Sequence, residues 1–113
     1  MAATMLAASV APALSDTFKR ITTEEKFREL VVDRKAVSEA GWFLVKSDGS
    51  TSGNIFKKTF KGAWVWKNRM YCRNAVLGNE TLKTDCQVVK ISGDQVQFIR
   101  DYGKGATGTS TLE

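Results

Sequence analysis

The chain of 113 residues has no histidine, one proline and two cysteines. Without imidazole there is no Ser-His-Asp or Cys-His arrangement, no histidine-ligated zinc and no histidine acid–base chemistry. Two thiols are too few for a four-thiolate zinc site, and cannot alone hold an iron–sulfur cluster. These absences subtract most enzyme classes, and no catalytic residue, metal site or cofactor is assigned. Long apolar runs are also missing. The uncharged stretch at residues 1–15 is shorter than the roughly 20 residues a helix needs to cross a bilayer, so no membrane span is expected.

What is present reads as one folded domain. Hydrophobic residues at 42% and charged residues at 26% are globular rather than disordered proportions. The length suits a single domain. Residues 1–15, MAATMLAASVAPALS, have the composition of a signal-peptide core. Ala13-Leu14-Ser15 fits small-x-small cleavage before Asp16, although no Lys or Arg precedes the run. The sequence therefore predicts a leader over 1–15, with the start lying upstream or chosen late. The alternative is an Ala-rich leader with no targeting role. Cleavage leaves 98 residues still carrying the net charge of +5. A core of that size gains from a staple.

Thr22 and Glu25 have capping-box spacing, and Phe27, Leu30 and Val31 form one apolar stripe. This predicts a short helix over 22–32. From Gly41 the period changes to short Trp-, Phe-, Val- and Ile-rich runs between turn signals. Six strands are predicted: Trp42 to Lys46, Asn54 to Lys57, Thr59 to Lys67, Met70 to Asn74, Asp85 to Ile91 and Gln95 to Arg100. The expected fold class is mainly β, with a short N-terminal helix and an antiparallel meander of six to eight strands. The meander closes as a small barrel or packs as a sandwich. The single domain spans 16–105. Residues 106–113 are expected as a flexible tail or an edge strand.

Cys72 and Cys86 fall on consecutive predicted strands, where antiparallel neighbours can bring side chains together. Behind an export-like leader, an even count of two favours a structural disulfide. The alternative is two buried thiols in a reducing compartment. No acidic residue lies between Asp48 and Glu80, a stretch holding Lys57, Lys58, Lys61, Lys67, Arg69 and Arg73. Aromatic residues are interleaved with them. That pattern fits an anion-binding or single-strand nucleic-acid face, and equally an amphipathic hairpin with lysines outside. Trp42, Trp64, Trp66 and Tyr71 are the candidate aromatic ligand face; the other reading of the Trp64/Trp66 pair is core packing. Asp48, Asp85, Asp94 and Asp101 fall near turns or strand ends, where Asp bonds its own backbone. Gly103-Lys104-Gly105 lacks a phosphate-loop frame.

Several segments together resemble a family of small secreted proteins from alphaproteobacteria. They are Gly62-Ala63-Trp64-Val65-Trp66, Tyr71-Cys72-Arg73, Asp85-Cys86-Gln87-Val88-Val89, Val96-Gln97-Phe98 and Asp101-Tyr102-Gly103-Lys104-Gly105. The family pattern is G-x-W-x-W, an aromatic-Cys-Arg, a second Cys in a D/N-C-Q context and a closing R/D-x-G-x-G. The match covers about Gly41 to Gly105, and Lys67-Asn68-Arg69 stands where the pattern has a D-G turn. The resemblance implies export and pairing of Cys72 with Cys86, and it supplies no catalytic residue. Some members carry the label dihydrodipicolinate reductase, an NAD(P)H-dependent activity. That activity calls for a strand–GxGxxG–helix unit in a longer chain; neither is here.

The leading expectation is an exported, non-enzymatic binding or envelope-associated module, periplasmic or secreted. Its partner would be a small molecule or an anionic envelope component. The alternatives are an enzyme, either the labelled reductase or a hydrolase using two of the four aspartates as an acid–base pair, and a basic single-strand nucleic-acid binder.

Overall fold

The structure is a computed structural model and describes residues 17–113. The expected leader, 1–15, lies outside the described residues. The elements run β1 (Lys19–Arg20), α1 (Glu24–Leu30), β2 (Ala36–Ser38), β3 (Gly41–Val45), β4 (Ser50–Ile55) and β5 (Lys58–Lys67). They continue with β6 (Met70–Leu77), β7 (Glu80–Ser92), β8 (Gln95–Ile99), α2 (Arg100–Gly103) and β9 (Thr107–Leu112).

Each strand from β2 to β9 pairs antiparallel with the next, and β9 pairs back onto β2. The meander is therefore a closed eight-stranded up-and-down barrel rather than a sandwich. Such a barrel has an interior just wide enough for its side chains or one small ligand. β7 is long enough to pair twice on one side. Its first half lies against β6, and β1 takes that position further along, with Lys19 opposite Ile91.

The expectation for 106–113 is corrected here. β9 is neither an edge nor a loose tail, because it pairs with β8 on one side and β2 on the other. Its single large apolar residue, Leu112, is buried, and Glu113 N–H donates to the Lys35 carbonyl at 2.8 Å. Three-residue β2 carries too little pattern to read as a strand, so the partner that closes the barrel was not visible. The second predicted strand is also corrected. Phe56 and Lys57 form a turn, and the strand before it starts earlier, at Ser50.

Strand alternation fills the interior. Val45, Thr51, Trp64, Tyr71, Val89, Val96, Phe98 and Leu112 are buried. α1 closes one end. Thr23 is its N-cap, accepting from Lys26 N–H at 3.2 Å. Glu25 is therefore not the reciprocal partner of a capping box based on Thr22. Seven residues are too few for an independent helix in water, so α1 is held by what it buries. Phe27 is fully buried, its ring centroid 5.4 Å from Trp64, 4.9 Å from Trp66 and 5.6 Å from Tyr71. Arg28 clamps the same end, bonding the Ser47 carbonyl at 3.0 Å and lying 5.0 Å over the Trp64 ring.

Cys72 and Cys86 are directly opposite on β6 and β7 and form a disulfide. It lies on the opposite strand face from Tyr71, in a cluster with Met70, Val88 and Ile99. Such a bond is compatible with an oxidising compartment. No helix among the described residues is long and apolar enough to cross a membrane.

Candidate functional site: the open end of the barrel

β2, β4, β6 and β8 all run away from α1, so the hairpin turns after them gather at the other end. There the barrel is not filled. One cavity of about 270 Å³ is lined by Phe43, Ile55, Phe98, Arg100, Gly108 and Ser110 among others. A narrower one of about 120 Å³ reaches inward to Phe60, Tyr71, Arg73 and Leu82. The two share Phe43, Ile55, Phe56 and Arg100 as walls. Phe43 forms the floor of the mouth, edge-on to Phe60 at 6.3 Å and to Phe98 at 5.4 Å.

The lip carries two exposed aromatics on strained backbone. Phe56 has φ 52° and is 68% exposed; Tyr102 has φ 59° and is 59% exposed. Left-handed backbone costs a non-glycine residue roughly 1–2 kcal/mol, and bulky side chains rarely occupy it.

Arg73 and Arg100 are the charged residues lining these two cavities. Arg73 is 7% exposed, and one of its terminal nitrogens donates to the Lys83 carbonyl at 3.2 Å. Burial holds its guanidinium below its ordinary range, and the like charge of Arg100 pushes the same way. Tyr71 and Asp85 oppose the shift. Asp85 stands opposite Arg73 in the ladder, but its oxygens are engaged elsewhere. They accept from Asp101 N–H at 3.0 Å and from Gln87 Nε2 at 2.9 Å. Among the described residues the ion pairs join Lys26 to Glu29, Arg28 to Glu24 and Arg34 to Asp94. Neither mouth arginine takes part. Tyr71 lies below Arg73, where burial raises its phenol to about 12 and keeps it protonated.

The sequence-derived candidates separate in space. Trp64 and Trp66 pack around Phe27 at the closed end, with Trp64 Nε1 bonded to the Lys46 carbonyl at 2.8 Å. Trp42 alternates away from Phe43 and lies under the Lys35 ammonium at 5.1 Å, against the rim of the larger cavity. Of the four aromatics, Tyr71 reaches the inner cavity. Lys57 and Lys58 are exposed at the open end, Lys61 on the outer face of β5, and Lys67 and Arg69 at the far end. The nine steps from Lys58 to Lys67, at about 3.3 Å each, put roughly 30 Å between those ends, so these bases do not converge. Arg73 belongs to the interior instead.

Sequence reasoning missed Arg100. A signal was available: Arg73 follows Tyr71 by two residues and Arg100 follows Phe98 by two. Residues two apart on a strand share a face. Both β6 and β8 climb toward the open end, so each arginine sits one step nearer the mouth than a buried aromatic. Gln87 is a second buried polar side chain near this region, satisfied by Asp85.

No family model matches the chain, and no curated protein or solved structure matches it. The functional reading therefore rests on the mouth itself.

Proposed function

We propose that the chain is an exported, disulfide-stapled β-barrel that acts without catalysis, as a binding module taking a small molecule into its open end. The observation that carries this reading is the asymmetry of the two ends. One is packed shut by Phe27 and α1; the other keeps a cavity walled mainly by apolar side chains. Apolar concavities with a few polar groups are where small ligands bind. Export is supported by the leader-like residues 1–15, by the disulfide, and by the resemblance to small secreted alphaproteobacterial proteins.

The test uses the neutral fluorophore N-phenyl-1-naphthylamine and a variant that fills the mouth. Gly108 lines the cavity, and a Cβ built there meets nothing within 4 Å. The expected result is saturable enhancement of fluorescence at one site, lost in Gly108→Phe while far-UV circular dichroism is unchanged. Equal binding by wild type and Gly108→Phe would overturn the reading. Oligonucleotide binding that falls steeply with salt would support the nucleic-acid alternative instead.

A further inference from the structure

We infer that the ligand is a small organic anion, a carboxylate on an apolar body, with its charge held between Arg73 and Arg100 and its body lying against Phe43 and Phe98. This inference rests on the binding reading above and names the ligand class.

Four observations carry it. First, the inner cavity is walled by apolar and aromatic side chains, with Arg73 and Arg100 as its charged residues. The neighbouring carboxylates, Asp85 and Asp101, line a separate outer groove that both arginines also touch. Secondly, Arg73 makes one side-chain hydrogen bond, to the Lys83 carbonyl, and none of its nitrogens is both buried and unpartnered. The other donors of its five-donor fork therefore face open space along the cavity and groove that it lines, where they can meet a ligand. Thirdly, the two arginines repel each other, and an anion between them relieves repulsion and desolvation together. Arginine forks match carboxylate geometry. Fourthly, size and polarity limit the choice. At roughly 30 Å³ per water-sized group, the 270 Å³ chamber takes a body of about nine heavy atoms. The aromatic and aliphatic walls beside the two guanidiniums favour an anion with an apolar body over a fully polar one such as inorganic phosphate.

The apolar body has two sources, alkyl or aryl, and the test separates them. Octanoate and 3-phenylpropanoate are each compared with their neutral amides, by displacement of N-phenyl-1-naphthylamine and by titration calorimetry. The proposal expects at least one acid to bind tenfold or more tightly than its amide, with acetate and inorganic phosphate failing to compete. The acid with the larger preference identifies the source. In Arg100→Gln, whose side chain is at the surface, the preference should fall below threefold. Arg73→Met should do the same if it folds, and the wild-type acid–amide comparison stands without it. Equal binding of acid and amide by both pairs, or competition by phosphate as strong as by the acids, would overturn the inference while leaving a neutral-ligand barrel. Failure of the wild type to bind the fluorophore, either acid or either amide would instead overturn the binding reading itself.

Discussion

Phe27→Ala is the sharpest test of how this small barrel is closed. Phe27 is fully buried and touches three aromatic rings that line the closed end. Burying a side chain of this kind contributes about 1.5–3 kcal/mol by transfer alone. Aromatic pairs add roughly 0.5–1.5 kcal/mol each beyond area, and the void left by truncation adds more, so phenylalanine-to-alanine changes in cores cost about 3–5 kcal/mol. A domain with about 5–15 kcal/mol in total then loses a large share. The loss has a local form as well, since α1 is too short to persist unaided. Two readouts separate the cases. Urea unfolding followed by tryptophan fluorescence gives the global loss, with a lowered midpoint. Hydrogen exchange at the Val31 amide, which donates to the Phe27 carbonyl at 2.9 Å, reports release of the helix. Phe27→Leu should recover part of both. A loss under about 1 kcal/mol, with Val31 still protected and near-ultraviolet dichroism unchanged, would refute a docked plug at this end.

Three further outcomes follow from the same geometry. Reducing the Cys72–Cys86 bond, which spans 14 positions, should lower the urea-derived stability by about 3 kcal/mol in the chain-entropy model; an unchanged midpoint would contradict it. Tyr71 titrates higher when folded, at about 12 against 10.0. Between these values the unfolded chain releases a proton that the folded one keeps, so stability falls as pH rises. About 3 kcal/mol is present below pH 10 and lost by pH 12. Phenolate absorbance in Tyr102→Phe, where Tyr71 is the remaining tyrosine, should show a midpoint well above 10.0. Arg69→Gly should stabilise the β5–β6 turn by up to about 1 kcal/mol, because Asn68 and Arg69 both have left-handed backbone (φ 54° and 64°) and a type I′ turn favours Asn-Gly. A lowered thermal midpoint would show that the Arg69 side chain matters more than its backbone.

Much of the barrel was legible because strand parity and turn chemistry are local. The β5–β6 and β7–β8 connections read directly, and the two cysteines fell on consecutive strands, although their direct opposition is seen only in the register. What failed was long-range. Nothing within β2 or β9 says that they will meet, and closure is set by the number and tilt of all eight strands together. The G-x-W-x-W segment shows the same division. Trp64 and Trp66 share a face by parity, but the need for Gly62 comes from across the sheet. The Asn74 carbonyl on β6 lies against β5, only 2.0 Å from where a Cβ on Gly62 would sit. The Asn74 side-chain oxygen then accepts from Ala63 N–H at 3.0 Å. Glycine is required there by a neighbour 12 residues later, which no local pattern contains.

The site divides along the same line, and the division explains why the first grouping of basic residues did not hold in space. Grouping by sequence proximity put Arg73 with Lys67 and Arg69. Grouping by parity puts it with Tyr71, and so inside. The two rules conflict because a cation inside a barrel runs against the usual apolar-in, charged-out alternation. Such a conflict persists in a folded protein only where something offsets it. Arg73 has one backbone acceptor and no ion-pair partner among the described residues. Burial and Arg100 both disfavour its charged form, and Tyr71 and Asp85 offset that only in part. A structural role for Arg73 predicts that Arg73→Met stabilises the ligand-free protein little or not at all. A ligand-holding role predicts a rise in unfolding free energy for the same variant, with loss of acid binding, since an apolar side chain of similar length removes the desolvation while keeping the packing. Urea titration of the empty protein and calorimetry with the acids, run on that one variant, decide between them.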